Sequence, residues 1–446
     1  MALIVKAEND IQAGIRANLG TTDDLFVAAG VTVSRTDAVG PSMVAVYASG
    51  SNHIIDIQGS VVNLGDAIQM GDDPSADSGS RILIGEQGYV ATYGTGSALD
   101  IRSQNTELIN RGVISAIGGD GVAFQGGASG TTTILNFGHI EGDFGVLVDN
   151  TGETFKLTNS GTIDGGSYAY RGGAGTDHII NTGWITGFVH LGLGTSEDTY
   201  DGRSGHLEGG VYGFGGDDYI LTGTDHDVID GGEGNDYMAG GAGDDLYWVD
   251  SLGDQVIELA GKGTDTIRSA ITLTLKTNIE NLVMDTVGNA NGTGNAVANV
   301  ITGGNGINHL KGLAGNDTLV GRDGNDLLTG GLGADRLTGD DHADRFIFNS
   351  VAESRAGNGI DKIMDFTRAE GDKIQLSAID ANSTIAGNQA FSFIGKAAFS
   401  GKAGQLRYVN NGNDTIVTAD INGDRKADFT VISDVAINFF KVDFIL

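Results

Sequence analysis

Acidic or amide residues recur every nine positions in two runs of this 446-residue chain, and no other feature restricts its fold so strongly. The first run is Asp218, Asp227, Asp236 and Asp245. The second is Asn299, Asn308, Asp317, Asp326, Asp335 and Asp344. Two residues after each lies an apolar side chain: Ile220, Ile229, Met238 and Tyr247, then Ile301, Leu310, Leu319, Leu328, Leu337 and Phe346. A period of nine fits neither the 3.6 of a helix nor the 2.0 of a strand. It fits a short strand followed by a turn. Two such units close one coil of a β-roll, so residues n and n+18 stack, about 4.8 Å apart. Asp317 then faces Asp335, and Asp326 faces Asp344.

Bare carboxylates one strand spacing apart repel. A Ca²⁺ ion, with oxygen ligands at about 2.3–2.6 Å, fits between them. Gly231, Gly234, Gly240, Gly243, Gly312, Gly315, Gly321, Gly324, Gly330 and Gly333 let the turn backbone bend and aim its carbonyls at an ion. The apolar residue two positions on fills a thin core. The cofactor expected is therefore calcium, several ions per chain. Asn299 and Asn308 replace Asp, which predicts weaker first sites in the second run. The charge balance agrees: 26 basic against 58 acidic residues, a net of −32, attracts cations and repels nucleic acid and anionic membranes.

The C-terminal segment adds candidates. "DINGDRKAD" places Asp420, Asn422, Asp424 and Asp428 like the start of an EF-hand loop. Arg425 stands where that loop has Gly, and no Glu follows at the twelfth position, so a calcium site and a solvated turn both remain open. Asp361, Asp365 and Asp372 are further candidates.

The first half repeats differently. Gly followed by an aliphatic residue recurs in "GVTV" (Gly30), "GSVV" (Gly59), "GYVA" (Gly88), "GVIS" (Gly112), "GHIE" (Gly138), "GTID" (Gly161), "GWIT" (Gly183) and "GHLE" (Gly205). The intervals run from 29 down to 22, and from Asn110 the marker expands to "NRGVISA", "NFGHIEG", "NSGTIDG" and "NTGWITG". Short strands between Gly/Asn turns at this spacing predict coils of a right-handed parallel β-helix, with asparagine ladders at the turns. The alternative is a β-sandwich with degenerate turns. Ile11, Ile15 and Leu19 lie four apart, which predicts a capping helix over 7–19. The expected organisation is a cap (1–20), a β-helix (21–212), a calcium-binding parallel β-roll (213–348, with runs 213–248 and 294–348 around a β-rich insert) and a β-rich C-terminal domain (349–446). The fold class is all-β.

The chain has no cysteine, which excludes disulfides and thiolate chemistry. Its opening, "MALIVKAEND", lacks the basic and long apolar regions of a secretory signal. No run reaches the roughly 18 apolar residues of a membrane span, so no membrane insertion is expected.

"GLAGNDTLVGRDGNDLLTGGLGADRLTGDDHADRFIFNS", "GIDKIMDFTRAEGDKIQLSAIDAN", "AFSFIGKAAFSGKAGQLRY", "TADINGDRKADF" and the terminal "DFIL" resemble the RTX β-roll and C-terminal domain of serralysin-type metalloproteases. The resemblance covers about residues 213–446. It implies calcium-dependent folding and export by the type I secretion machinery, with an uncleaved C-terminal signal ending in Asp443–Leu446. None of the eight histidines begins an H-E-x-x-H, so no zinc protease site carries over. The same module is attached to alginate epimerases, adhesins and surface-layer proteins, so it reports delivery rather than activity.

For the first half two classes compete. Regular "NxGxIxG" coils, with no compact catalytic cluster, predict a non-enzymatic structural protein at the cell surface. Such a protein would be a surface-layer, matrix, filament or adhesin protein that self-assembles into a homo-oligomer or polymer. The alternative is a polysaccharide-modifying lyase or epimerase on the β-helix, in contact with cell-surface polysaccharide. Its scattered candidates are Asp143, Asp149, Asp164, Tyr168, Tyr170, Arg171 and His178. With aromatics at 7%, no large sugar-stacking groove is expected, and Trp184 is expected to pack on a coil. A carboxylate-rich groove across several coils would favour the enzyme.

Overall fold

The computed structural model describes residues 3–6, 17–21, 23–34, 44–74, 76–127, 129–149, 152–355 and 359–446. The chain divides into two compact units, Met1–Tyr247 with Gly253–Ile257, and Trp248–Leu252 with Glu258–Leu446. The division falls between the two nonapeptide runs. The first run is built onto the N-terminal solenoid and the second onto the C-terminal segment.

The first unit is a parallel β-solenoid, as its repeats predict. Arg81–Ile84, Tyr89–Thr92 and Leu99–Ile101 make one coil, and Glu107–Asn110, Val113–Ala116 and Val122–Phe124 stack on them in register. Further on, the second and third strands merge into long bent strands, His139–Val148 and Thr162–Arg171. In the nonapeptides the coil shrinks to two strands, with Tyr219–Leu221 under Tyr237–Ala239 and Gly210–Tyr212 under Val228–Asp230. The aliphatic residue of each Gly marker forms one core column: Val90, Ile114, Ile140, Ile163, Ile185 and Leu207 are all buried. Each contributes roughly 1.5–3 kcal/mol by leaving water. The marker glycines also stack. A Cβ on Gly138, Gly161 or Gly183 would overlap the carbonyl oxygen of the glycine one coil below.

The asparagines before those glycines are buried and form the expected ladder. Asn110 Nδ2 donates to Asn136 Oδ1, Asn136 to Asn159 and Asn159 to Asn181, each at 2.8 Å. The second hydrogen of each amide goes to a backbone carbonyl, for example that of Thr162 at 3.0 Å from Asn136. Only a side chain with both donor and acceptor can continue such a ladder.

The expected capping helix is corrected in part. Ala17–Leu19 is a strand paired with Val46–Ala48, so Leu19 extends the sheet instead of a helix. Its short alternation, Ala17 and Leu19 buried with Asn18 exposed, is a strand pattern. Ile11 and Ile15 lie outside the described residues.

The second unit is a two-faced roll ending in an antiparallel sheet. Ile301, Leu319, Leu337 and Ile363 stack on one face. On the other, Leu310, Leu328, Phe346, Ile374 and Phe444 do the same. The stacking interval through the nonapeptides is the predicted 18. Gln405–Asn411, Asp414–Asp420 and Phe429–Ser433 form the antiparallel sheet, whose last strand adds to the roll beside Asp361–Ile363. Asp443 is buried and held by both Nε and Nη2 of Arg368 at 2.7 Å. The terminal Phe444–Ile445 is a strand of the roll.

Candidate metal centres

The repeat acids form two hydrogen-bonded rows along each roll. In the second unit the N–H of Asn299 donates to Asp317 Oδ1 (2.8 Å), that of Asp317 to Asp335 (2.8 Å), and that of Asp335 to Asp361 (2.9 Å). The opposite row runs from Asn308 to Asp326 (2.8 Å), Asp344 (2.8 Å) and Asp372 (3.0 Å). In the first unit Asp218 donates to Asp236 (2.8 Å) and Asp227 to Asp245 (2.9 Å). All these side chains are buried.

In Asp317, Asp326, Asp335, Asp344 and Asp361 one carboxylate oxygen is used by this backbone ladder and the other is left over, whereas Asp372 gives its second oxygen to the Thr367 N–H (2.7 Å). Oδ2 of Asp218, Asp317, Asp326, Asp335, Asp344 and Asp361, and Oδ1 of Asp227, are buried with no hydrogen-bond partner. Leaving a charged oxygen in that condition is costly. Those of Asp218, Asp317, Asp326, Asp335 and Asp344 lie over the first glycine of their own turn, where a Cβ on Gly213, Gly312, Gly321, Gly330 or Gly339 would overlap them. The carbonyl oxygen of the next coil's glycine converges on the same points, Gly231 over Gly213, Gly330 over Gly312 and Gly339 over Gly321. A buried carboxylate and a peptide carbonyl converging in a cradle that only glycine leaves open are hard oxygen donors. They suit Ca²⁺. Later turn positions need glycine for a different reason: Gly234, Gly243, Gly315, Gly324 and Gly333 have φ of 154°, 134°, 135°, 141° and 146°.

Burial, the largest cause in each case, pushes the cation-free acids upward. Asp218, Asp317 and Asp326 rise to about 6, and Asp344 and Asp361 to about 8. The two asparagines behave otherwise. Asn299 Nδ2 donates to the Ile279 carbonyl (3.0 Å) and Asn308 Nδ2 to that of Ala290 (2.6 Å). In both, Oδ1 takes the place over the first glycine of the turn that Oδ2 takes in the aspartates, and there it accepts a backbone N–H, from Asn295 and from Gly304, each at 2.8 Å.

The remaining sequence candidates separate. Asp361 and Asp372 cap the two rows, so they join the nonapeptide acids, while Asp365 accepts from Gly339 (3.1 Å) and Asp340 (2.7 Å). In the 420–428 loop, Asp420 accepts from the N–H groups of Asn422, Gly423 and Arg425. Asp428 accepts from Ile421, and Asp424 from Lys426. Its carboxylates serve the loop's own backbone, and the loop contributes no buried oxygen without a partner.

Residues 212–247, 293–328 and 320–350 match the model of the RTX calcium-binding nonapeptide repeat. The chain carries these repeats on a β-solenoid, and they bind several calcium ions. A 69-residue stretch is 42% identical to the endo-1,3-1,4-beta-glycanase ExsH of Rhizobium meliloti (strain 1021). That stretch is 16% of this chain and 15% of the relative, so the chain spans about 15% of that protein's length. Among solved structures, the AlgE6R3 subunit of the Azotobacter vinelandii mannuronan C5-epimerase is 25% identical, with a TM-score of 0.23, covering 31% of this chain and 71% of that one. The AlgE6R2 subunit is 23% identical, with a TM-score of 0.23, covering 34% and 91%.

On the N-terminal solenoid the scattered catalytic candidates do not gather into one cluster. Tyr170 is buried in the core. Tyr168 stacks on Phe144 with ring centroids 5.4 Å apart and meets His190 edge-on at 4.3 Å. Arg171 lies over Phe144 at 5.8 Å. Phe188, Tyr212 and Phe214 continue this aromatic row from coil to coil. A low aromatic content thus still places rings at equivalent positions of successive coils. Trp184 is 50% exposed and stacks on His206.

A second group was not singled out from sequence. Asp66, Asp100 and Asp120 sit on successive coils around Ser97, whose N–H donates to Asp66 (2.9 Å) and hydroxyl to Asp120 (3.4 Å). Asp100 is held by Arg102 at 2.8 Å. Burial pushes all three upward, and Asp100 adds to the rise at Asp66. Among the described residues no helix is long and apolar enough to cross a membrane.

Proposed function

We propose that this chain works outside the cell as a calcium-folded β-solenoid with a structural role at the cell surface. The observation that carries this is the row of buried aspartates in each unit, where Oδ2 of Asp218, Asp317, Asp326, Asp335, Asp344 and Asp361 has no hydrogen-bond partner and is open to a cation. Where free calcium is scarce the acids repel and the rolls stay open, which keeps the chain fit for export by type I secretion. Where calcium is in the 10⁻⁴–10⁻³ M range of extracellular modules, about the level expected here, the sites fill and binding becomes folding free energy. Far-UV circular dichroism in EGTA, then in millimolar calcium, tests it: β signal should appear with calcium. A complete β spectrum in EGTA sinks the proposal.

A second reading is favoured by one observation, the row of half-buried Asp66, buried Asp100 and half-buried Asp120 with Arg102. Raised carboxyls next to a fixed cation can donate and accept protons on a glycan, and the half-exposed aromatic row offers sugar-stacking faces. On this reading the N-terminal solenoid modifies an acidic polysaccharide; the matching relative is a glycanase. Asp100→Asn with an uronic-acid polymer decides. Turnover by the parent chain that the variant loses supports the enzyme, and no turnover by either leaves the structural role.

A further inference from the structure

The aspartate row of the first unit does not begin where the repeat match begins, at residue 212. The N–H of Asp198 donates to Asp218 Oδ1 at 2.8 Å, and that of Asp177 donates to Asp198 Oδ1 at 2.7 Å. The row therefore continues two coils up into the N-terminal solenoid. The turn before Asp177 reads Gly172-Gly173-Ala174-Gly175-Thr176-Asp177-His178-Ile179, the residue order of a nonapeptide. The steps from Asp177 to Asp198 and from Asp198 to Asp218 are 21 and 20, not 18, so a search by phase passes over it.

The local geometry repeats that of the nonapeptide turns. At Gly213 a Cβ would overlap Asp218 Oδ2 and the carbonyl oxygen of Gly231. At Gly172 it would overlap Asp177 Oδ2 and the carbonyl oxygen of Leu191. The backbone agrees: the Gly172 N–H donates to the His190 carbonyl as that of Gly213 does to Asp230, both at 2.8 Å. Asp177 goes further than the repeat acids. It is 1% exposed, and no backbone N–H donates to either of its carboxylate oxygens. The buried Tyr170 hydroxyl is the hydrogen-bonding group beside it and can serve one of the two oxygens.

We propose that Asp177 and the Leu191 carbonyl form a further calcium site, in the N-terminal solenoid and outside both nonapeptide runs. A buried carboxylate beside a peptide carbonyl is a hard, anionic donor set; the single hydroxyl hydrogen of Tyr170 can serve one of its two oxygens, and a hard divalent cation satisfies the rest. Asp198 is the next acid in the row and adds negative potential. The ion would tie the last coils of the three-stranded solenoid to the first unit's nonapeptides, so calcium would set the order of both. The inference rests on the calcium reading above for the identity of the ion.

The test uses the full chain. Calcium bound per chain is counted after dialysis against a fixed free concentration, for the parent and for Asp177→Asn. The variant should bind one ion fewer and keep its β spectrum. An unchanged count overturns the site and leaves Asp177 a neutral buried acid. Should Asp177→Asn fail to fold, Tyr170→Phe decides, read by terbium emission sensitised through tyrosine. That variant keeps the shape of the site, so it should lose one site's share of the emission while binding as many ions as the parent. Emission unchanged by Tyr170→Phe overturns the site. A parent chain that binds no calcium at all defeats the calcium reading itself, whereas a normal count insensitive to Asp177→Asn defeats this inference alone.

Discussion

A nonapeptide aspartate does two jobs with one side chain. Asp326 accepts the Asn308 N–H through Oδ1 and leaves Oδ2 for the cation. Asp326→Ala should therefore lower the melting temperature strongly in calcium and much less in EGTA; equal shifts in both would reduce Asp326 to plain turn chemistry. Gly321→Ala attacks the same site from the other side, because the new methyl overlaps Asp326 Oδ2. It should cost about 1–3 kcal/mol in calcium, read from denaturant midpoints, as overpacking does. The pH dependence has a definite sign. Asp317 and Asp326 stand at about 6, and Asp344 and Asp361 at about 8, against about 3.9 for an unfolded Asp. Between those values the cation-free folded state binds more protons than the unfolded one, so its stability is lost as pH rises through about 6 to 8. Calcium needs the ionised acids and reverses the trend. Melts in EGTA should be higher near pH 5 than near pH 8, and in calcium higher near pH 8. The same order in both conditions would contradict a cation at these oxygens.

At the scale of the coil, the two halves satisfy their buried turns in different ways. The N-terminal coils use neutral amides, Asn110 through Asn181, each both donor and acceptor. The rolls use carboxylates and need an ion. Asn136→Ala should thus destabilise the chain by about 1–3 kcal/mol, leaving the donor of Asn110 and the acceptor of Asn159 bare, and to the same extent with or without calcium. A loss seen only in calcium would show that the ladder is not an independent support. Asn299 and Asn308 are the amide solution inside the second roll, and Asn308→Asp should add a bare oxygen and raise the number or affinity of bound ions.

At the scale of the molecule, a net charge of −32 opposes association until divalent ions cancel part of it. The structural reading therefore expects self-association that begins only at high calcium. Sedimentation and electron microscopy across a calcium series should show ordered sheets or filaments. A folded monomer at every calcium and protein concentration, with turnover of an acidic polysaccharide, would move the assignment to the enzyme at Asp66, Asp100 and Asp120.

The nine-residue phase of Asp317 to Asp344 was enough to derive the two-strand coil, the 18-residue stacking and the need for a cation, because a repeat fixes its own neighbours. The "NxGxI" marker likewise made the Asn ladder and the Ile114 to Ile185 column legible. What the phase could not carry was anything that breaks it. In the second unit Asp361 and Asp372 extend the rows after jumps of 26 and 28 residues, and in the first unit Asp177 and Asp198 precede Asp218 at steps of 21 and 20, so the row continues where the coil length changes. The aromatic row from Phe144 to Phe214 and the Asp66, Asp100 and Asp120 group are assembled from different coils with no common local motif. The Asp443 pair with Arg368 joins positions 75 residues apart. A contact made by stacking is visible in a sequence while the coil length is constant; where coil length changes, only the folded backbone decides which residues meet.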